Sequence, residues 1–278
     1  MHQKYISSSD LTTFLKCARL AVMQLRGFRA VSSTAQKRGN DLHAAVESYL
    51  RGNTGGTVLD PLGDFARQAG FLPAPGLDTV RVEMGLGIPN DDAARYSVAT
   101  DWTGQDIQVA GMPIRGLVDL IRIDRGVLEI ADHKTVANFY WAETEETLPN
   151  NIQLWVYAYM VAKWSIASGF HPLNAGSTIR LSHIQYAKNL KPSLRAVREV
   201  SFETTTVQVY RRWKQIKALI TALVADEARQ LRNVSPNRNH CSAYGGCPYI
   251  EWCSRMEPAD VSAATSEAVN NWLHNVQS

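Results

Sequence analysis

The sequence predicts a mixed α/β (α+β) domain, a central sheet flanked by helices with helical chain ends. Three observations predict it. Apolar residues recur at helical spacing near both termini, the middle of the chain switches to short runs of strand period between turn residues, and 45% hydrophobic content over 278 residues supplies one sizeable core. The whole of 1–278 reads as a single domain, with N-terminal helices in 1–52, a sheet-and-helix core in 78–202 and a C-terminal helix and cysteine segment in 203–278.

The opening SSSDLTTFLKCARLAVMQL reads as one capped helix. Ser8, Ser9 or Asp10 caps it, Leu11, Phe14, Leu15, Ala18 and Val22 form its apolar stripe, and Cys17 falls in its middle turn. A second helix is expected over 35–51, with Leu42, Ala45, Val46, Tyr49 and Leu50 inward, stopped by RGNTGG. Residues 53–77 read as a loop with a turn or two of helix around Phe65. Strands follow at Thr79–Leu86, Tyr96–Trp102, Ile107–Val109, Ile114–Ile123 and Val127–Thr135, an antiparallel set. An apolar helix spans 150–168, further strands run over Thr178–Tyr186 and Ala196–Phe202, and a long amphipathic helix occupies 206–232.

The hairpin from Ile114 to Thr135 carries the chemistry. Placing Asp124 opposite Val127 makes every facing pair sum to 251, so that Arg122 meets Glu129 and Leu120 meets Ala131 on one face. On the other, Asp119 faces Asp132, Ile121 faces Ile130, Ile123 faces Leu128 and Leu117 faces Lys134. A register shifted by one sets Ile121 against Glu129 and separates the aspartates. Two carboxylates and a lysine thus converge at the end of an apolar face, where they either neutralise one another or hold a divalent cation. Carboxylate and carbonyl oxygens suit Mg2+ or Mn2+, and a neighbouring lysine orients or deprotonates a bound water and offsets charge on a phosphorane-like transition state.

Net charge is +3, permissive of a nucleic-acid partner without demanding one. Basic residues gather in 1–51 and in 188–238, with the cluster Arg211, Arg212, Lys214 and Lys217, whereas 52–110 is acidic. These are either solvated helix faces or a phosphate-tracking groove. No stretch approaches the about 18 apolar residues that cross a bilayer, and MHQKYISSSD has no apolar segment behind a basic start, so the expectation is a cytoplasmic protein without a membrane partner. Cys17 stands alone while Cys241, Cys247 and Cys253 lie close together, a placement that points to metal or cluster ligation rather than disulfides. No G-x4-G-K-[ST] loop is present, so the chain carries no P-loop motor.

Gly116-Leu-Val-Asp119 followed by Asp132-His133-Lys134 resembles the core motif of the PD-(D/E)XK nuclease superfamily, in its RecB-like branch. Arg38-Gly-Asn-Asp-Leu-His43-Ala-Ala-Val-Glu47 is similar to the helix that gives this branch its metal-binding histidine, and Gln153-Leu-Trp-Val-Tyr157 matches its Q-x3-Y motif. The cysteines resemble the iron-sulfur staple of exonucleases and CRISPR-associated adaptation nucleases in the same branch, although both distal gaps here are five residues where the usual first gap is two. Gly245 and Gly246 can loop out the extra residues.

The resemblance implies a restriction-endonuclease-like core with a central mixed sheet and a metal-dependent DNA nuclease, an exonuclease on single-stranded or duplex ends. It implies His43, Asp119, Asp132 and the His133 carbonyl as metal ligands and Lys134 as the catalytic lysine, with Glu47 behind His43. It implies Gln153 and Tyr157 on substrate, where Gln hydrogen-bonds sugar, phosphate or base and Tyr stacks or donates to phosphate. Glu83 is either a further acidic ligand or a strand-end carboxylate. A [4Fe-4S] cluster on Cys17, Cys241, Cys247 and Cys253 would cross-link the chain ends; a four-thiolate Zn2+ site is the direct alternative. The implied setting is DNA end processing and recombination in a bacterial cell or one hosting a virus or mobile element, with a recombination or annealing protein as partner. A CRISPR-adaptation nuclease and a non-catalytic nucleic-acid-binding iron-sulfur protein are the alternatives.

Overall fold

The computed structural model describes residues 5–28, 34–52, 61–87, 102–103, 107–188, 196–241, 246–255, 269 and 271–272. Among these residues, eight strands form one mixed sheet. They are β1 (Ile6–Ser7), β2 (Val80–Leu86), β3 (Trp102–Thr103), β4 (Gln108–Val109), β5 (Met112–Asp124), β6 (Val127–Val136), β7 (Thr178–Ala187) and β8 (Ala196–Thr205). The main path runs β3-β2-β5-β6-β7-β8, with β1 and β4 also paired to β5. The β2-β5-β6 set and the β4–β5 pair are antiparallel as expected, whereas β3, expected in the same antiparallel set, runs parallel to β2, and β6 and β7 run parallel because the helix between them returns the chain to the same end. The strand expected at Tyr96–Trp102 lies outside the described residues apart from Trp102, as do residues 53–60 of the expected loop and Gly245 of the cysteine segment.

The expected hairpin register holds from its turn inwards. Asp124 pairs with Val127, Ile123 with Leu128, Arg122 with Glu129, Ile121 with Ile130 and Leu120 with Ala131. Arg125 and Gly126 both take positive φ (49° and 79°), the backbone that a two-residue turn of matching twist requires. Glu129 is fully buried, with Arg122 Nε at 2.9 Å and the Ser182 hydroxyl donating at 2.7 Å, so its charge has both an opposite charge and a hydrogen bond. Beyond Leu120 and Ala131 the ladder stops: β5 continues on β2 and β6 on β7. The expected rungs Asp119–Asp132 and Leu117–Lys134 therefore do not form, because the Asp119 carboxylate enters the gap and takes the His133 N–H at 2.7 Å.

Helices cover both faces. On one, α1 (Ser8–Lys16), α2 (Ala18–Leu25), α5 (Ile152–Ser168) and α6 (Thr206–Glu227) bury the larger core, which includes Phe14, Val22, Ile121, Ile130, Met160 and Ile216. On the other, α3 (Thr34–Leu50) and α4 (Pro61–Gln68) pack Leu42, Val46, Leu50 and Leu62 against Leu120, Ala131, Ile184 and Tyr186. A last short helix, α7, spans Ile250–Ser254.

The single N-terminal helix expected from the sequence is two helices. Cys17 adopts extended backbone (φ −161°, ψ 110°) between α1 and α2, so it sits at a break rather than in a middle turn. The cap is Ser7, whose side chain accepts from the Asp10 N–H while the Asp10 carboxylate accepts from the Ser7 N–H, a capping box one residue earlier than expected.

Buried Arg19 on α2 then ties the two ends of the chain. Its guanidinium donates to the Val234 carbonyl at 2.7 Å, the Arg232 carbonyl at 3.1 Å and Cys253 Sγ at 3.4 Å. Asn237 donates to the Lys16 carbonyl at 2.9 Å, and Arg26 donates to the carbonyls of Glu227 and Arg229.

Close approach at the end of β2 requires one glycine. Gly87 has φ 84°, and a Cβ there would lie 2.1 Å from the Ile114 carbonyl oxygen and 2.4 Å from Met160 Cε. Gly87→Ala should therefore lose about 2–4 kcal/mol of stability from positive φ plus overlap. Gly111→Ala, at φ 76° with nothing within 4 Å, should lose only the backbone part, about 1–2 kcal/mol. Denaturant unfolding of the two variants measures the difference, and equal losses would mean that the approach of β2 to β5 is not tight.

Candidate metal centre

The parting of β5 and β6 places the chemistry-bearing side chains. Asp119 on β5 and Asp132 on β6 are both buried, with β2 supplying Glu83 and α3 supplying His43. His43, Glu83 and Asp119 each offer one ligand atom, and these atoms lie within 4.8 Å of one another. Among the described residues this is the one group of three or more His, Cys, Asp or Glu brought so close.

Glu83 is neither at a strand end nor in ordinary strand conformation. The β2–β5 pairs flank it at Val82–Leu120 and Met84–Val118, which puts Glu83 opposite Asp119, but its φ of 49° takes it out of the ladder. Left-handed backbone at a non-glycine residue inside a strand is strained, and such strain persists only where the surroundings over-determine it.

Asp132 is held differently. Its carboxylate lies 2.7 Å from Lys134 Nζ and 3.7 Å from His183 Nε2, and it accepts from Gln153 Nε2 at 2.9 Å. Gln153 also accepts from Lys134 Nζ and donates to the Tyr157 hydroxyl, both at 2.8 Å. Gln153 and Tyr157, expected on substrate, are thus turned into the carboxylate centre. Tyr157 is buried, so its ring has no free face for a base; a Cβ on Gly116 would lie 2.9 Å from Met160 Sδ and 3.3 Å from that ring, which leaves room for glycine there.

The electrostatics separate the two aspartates. Burial, then the nearby charges of Asp132 and Glu83, hold the Asp119 carboxyl well above the usual range. Burial also pushes Asp132 up, but Lys134 and His183 outweigh it and leave that carboxylate below its ordinary range. Burial and then Glu47 push Glu83 up to about 7. For Lys134, burial disfavours the cation, but Asp132 more than offsets it and the ammonium titrates above its usual value. Burial lowers His43 below its ordinary value, against the opposing charge of Asp132.

Glu47, expected behind His43, pairs with Arg51 at 2.9 Å and lies close enough to Glu83 to raise it. The His133 ring is buried, accepts or donates at the Tyr186 hydroxyl at 3.0 Å, and is pushed by burial down to about 3, so it is neutral. The His43 and His133 rings lie edge to face with centroids 5.9 Å apart, so this residue borders the metal group.

Sequence reasoning missed His183 and Glu143. His183 pairs with Asp132 across the parallel β6–β7 ladder, and its Nδ1 lies 2.8 Å from Glu143. The one available signal was a histidine inside an apolar strand, LSHIQY, which by itself does not distinguish a core residue from a partner of the site.

The four cysteines also approach one another. The Cys247 N–H donates to the Cys241 carbonyl at 2.8 Å, and the Asn237 N–H donates to Cys17 Sγ at 3.4 Å. Burial pushes the Cys247 thiol up, and Cys241, Cys17 and Cys253 all act on it in the same direction. The thiols are not in disulfides.

Comparison with curated protein sequences returns no match. Among solved structures the chain is similar to SSO0001, at 16% identity and a TM-score of 0.43, with 92% of this chain and 89% of that one covered. It is similar in fold to a candidate exonuclease from Eubacterium rectale at 12% identity and a TM-score of 0.50, with 92% and 90% covered. The profile of the PD-(D/E)XK nuclease superfamily matches residues 5–254, a span that holds every strand and the whole carboxylate centre, and the chain belongs to that superfamily.

Proposed function

We propose that this protein is a divalent-metal-dependent deoxyribonuclease, an exonuclease acting at DNA ends. The observation that carries the reading is the convergence of His43, Glu83 and Asp119 beside an Asp132–Lys134 pair at the parting of two strands. One imidazole nitrogen and carboxylate oxygens suit Mn2+ or Mg2+, and Asp119 and Glu83, raised by burial and then by neighbouring acids, are carboxyls whose ionised form a cation would favour. His43, Glu83 and Asp119 would hold the ion, with Asp132 and the His133 carbonyl completing the set. The ion supplies Lewis acidity and a water of lowered pKa.

The chain's own residues do the rest. Lys134, with its pKa raised by Asp132, is a cation at neutral pH, which suits it to offset charge developing on a scissile phosphate rather than to accept a proton. Gln153 holds Lys134 and Asp132 together, and Tyr157 holds Gln153.

We also propose a [4Fe-4S] cluster on Cys17, Cys241, Cys247 and Cys253. The influence of three other thiols, Cys17, Cys241 and Cys253, on Cys247 and an Arg19 N–H directed at the Cys253 sulfur support it. A four-thiolate zinc site on the same cysteines is the direct alternative. Among the same residues no helix is long and apolar enough to cross a membrane; the setting we propose is cytoplasmic DNA end processing in recombination.

Three outcomes test these readings. Lys134→Ala and Asp119→Asn should each lower Mn2+-dependent cleavage of end-labelled DNA at least about a hundredfold while the fold is kept; undiminished cleavage in either would overturn the nuclease reading.

Stability against pH tests Glu83. A carboxyl raised to about 7 in the folded state keeps a proton that the unfolded chain releases nearer 4.5. Its contribution is thus present below the unfolded value and is lost as pH rises towards 7. Thermal melts of metal-free protein should show that decline steeper in wild type than in Glu83→Gln, with added Mn2+ recovering more stability in wild type at pH 7.5 than at pH 5. Parallel curves for the two proteins would place Glu83 outside the metal group.

Anaerobically purified protein should be brown and hold about four irons per chain, and Cys17→Ser should lose most of that iron. Stoichiometric zinc in a colourless protein would replace the cluster without touching the nuclease.

A further inference from the structure

Two large aromatic side chains stand almost wholly in solvent on the turn after β6, the strand that carries Asp132 and Lys134. Tyr140 is 81% exposed and Trp141 78%, whereas the next most exposed large hydrophobic among the described residues, Ile166, is 51% exposed. They form an edge-to-face pair with ring centroids 4.6 Å apart on a single 3-10 turn, Phe139–Trp141, that follows β6 directly. Burial alone would drive such a pair inward, and an exposed aromatic pair of this size marks a contact surface.

The turn is anchored on its two flanks, at Phe139 and at Glu143. Arg198 lies over the Phe139 ring at 4.5 Å and donates to the Glu143 carbonyl at 3.2 Å, and Gln185 donates to the same carbonyl at 2.8 Å. The Glu143 carboxylate accepts from Asn151 at 3.0 Å and meets His183 at 2.8 Å, and His183 in turn faces Asp132. The turn is therefore a fixed platform, linked through Glu143 and His183 to the carboxylate on which Lys134 sits.

The geometry points to Tyr140 and Trp141 as a stacking platform for unpaired nucleobases, which directs single-stranded DNA ends into the centre. This assignment rests on the nuclease reading. Ring faces suit any base, because every base has a π-face, and stacking of this kind is tolerant of sequence. The local charge decides between strand forms. Exposed Glu145 and Glu146 follow within five residues of Trp141, and they would repel the phosphate-lined outer surface of a duplex, whereas an unpaired strand can turn its bases to the aromatic pair and its phosphates away.

Binding without added divalent metal tests it by fluorescence anisotropy on a labelled 20-nucleotide single strand, the same strand with abasic spacers, and a blunt duplex. The double variant Tyr140→Ala/Trp141→Ala should weaken single-strand binding about ten- to a hundredfold, leave the duplex within about twofold, and respond no further to the abasic spacers. Trp141→Phe should keep most of the affinity. Both aromatics are exposed, so thermal melting should not change. Equal single-strand affinity in wild type and double variant, with cleavage intact, would overturn the platform alone. A double variant that binds single strands normally yet loses a co-purifying protein would assign the turn to a protein contact. Wild-type protein that neither binds nor cleaves DNA would overturn the nuclease reading and the platform with it.

Discussion

Two carboxylates buried side by side in a sheet govern this structure. Asp119 and Asp132 cannot both be ionised and adjacent in a low-dielectric interior without a partner for each. The chain resolves this by separating the strands that carry them: Asp119 takes a backbone N–H in the gap, and Asp132 takes a lysine, a glutamine and a nearby histidine. The outcome is an asymmetric pair, one carboxyl raised and one lowered, with a third acid, Glu83, turned towards the raised one by a strained backbone. Each arrangement relieves part of the repulsion between the carboxylates.

The scaffold holds that arrangement from outside. The parallel β6–β7 ladder places His183 against Asp132 and Gln185 beneath the following turn. The helical ends of the chain are joined by hydrogen bonds from Arg19, Arg26 and Asn237 to main-chain carbonyls across the domain, in the same region where the cysteines approach. Closure of the chain ends is thus built from side-chain-to-backbone bonds, and thiol ligation would add to a contact that already exists.

Much of the hairpin was legible from the sequence because alternation and turn chemistry agree: Arg122 with Glu129 and Leu120 with Ala131 follow from placing the turn at Arg125-Gly126. Its open end was not legible, since pairing there yields to electrostatics rather than to pattern. The helix break at Cys17 carries no glycine or proline, so apolar spacing runs through it unchanged, and only tertiary contacts at Arg19 and Asn237 show it. For Glu83 the sequence left a ligand and a strand-end carboxylate both open, because VRVEMGL alternates normally and its left-handed backbone has no local signature. His183 and Glu143 depend on a parallel pairing across an intervening helix, which sequence spacing does not reveal.

His43 is the one member of the metal group carried on a helix, and helices shift on sheets more readily than paired strands shift on one another. Its neighbours Leu42 and Val46 pack in the cluster that contains Leu120 and Ala131, the last closed rung of the hairpin. Those two residues immediately precede Asp132 and follow Asp119 in the chain. The apolar contact that seats α3 is therefore made on the very rung beyond which the carboxylates diverge, so the imidazole takes its position from the same backbone atoms that set the carboxylates. Interior packing is dense enough that a methylene-sized change is felt by its neighbours. A change of side-chain volume at Leu120 or Ala131 would thus displace His43 relative to Asp119 while leaving every polar residue of the centre in place.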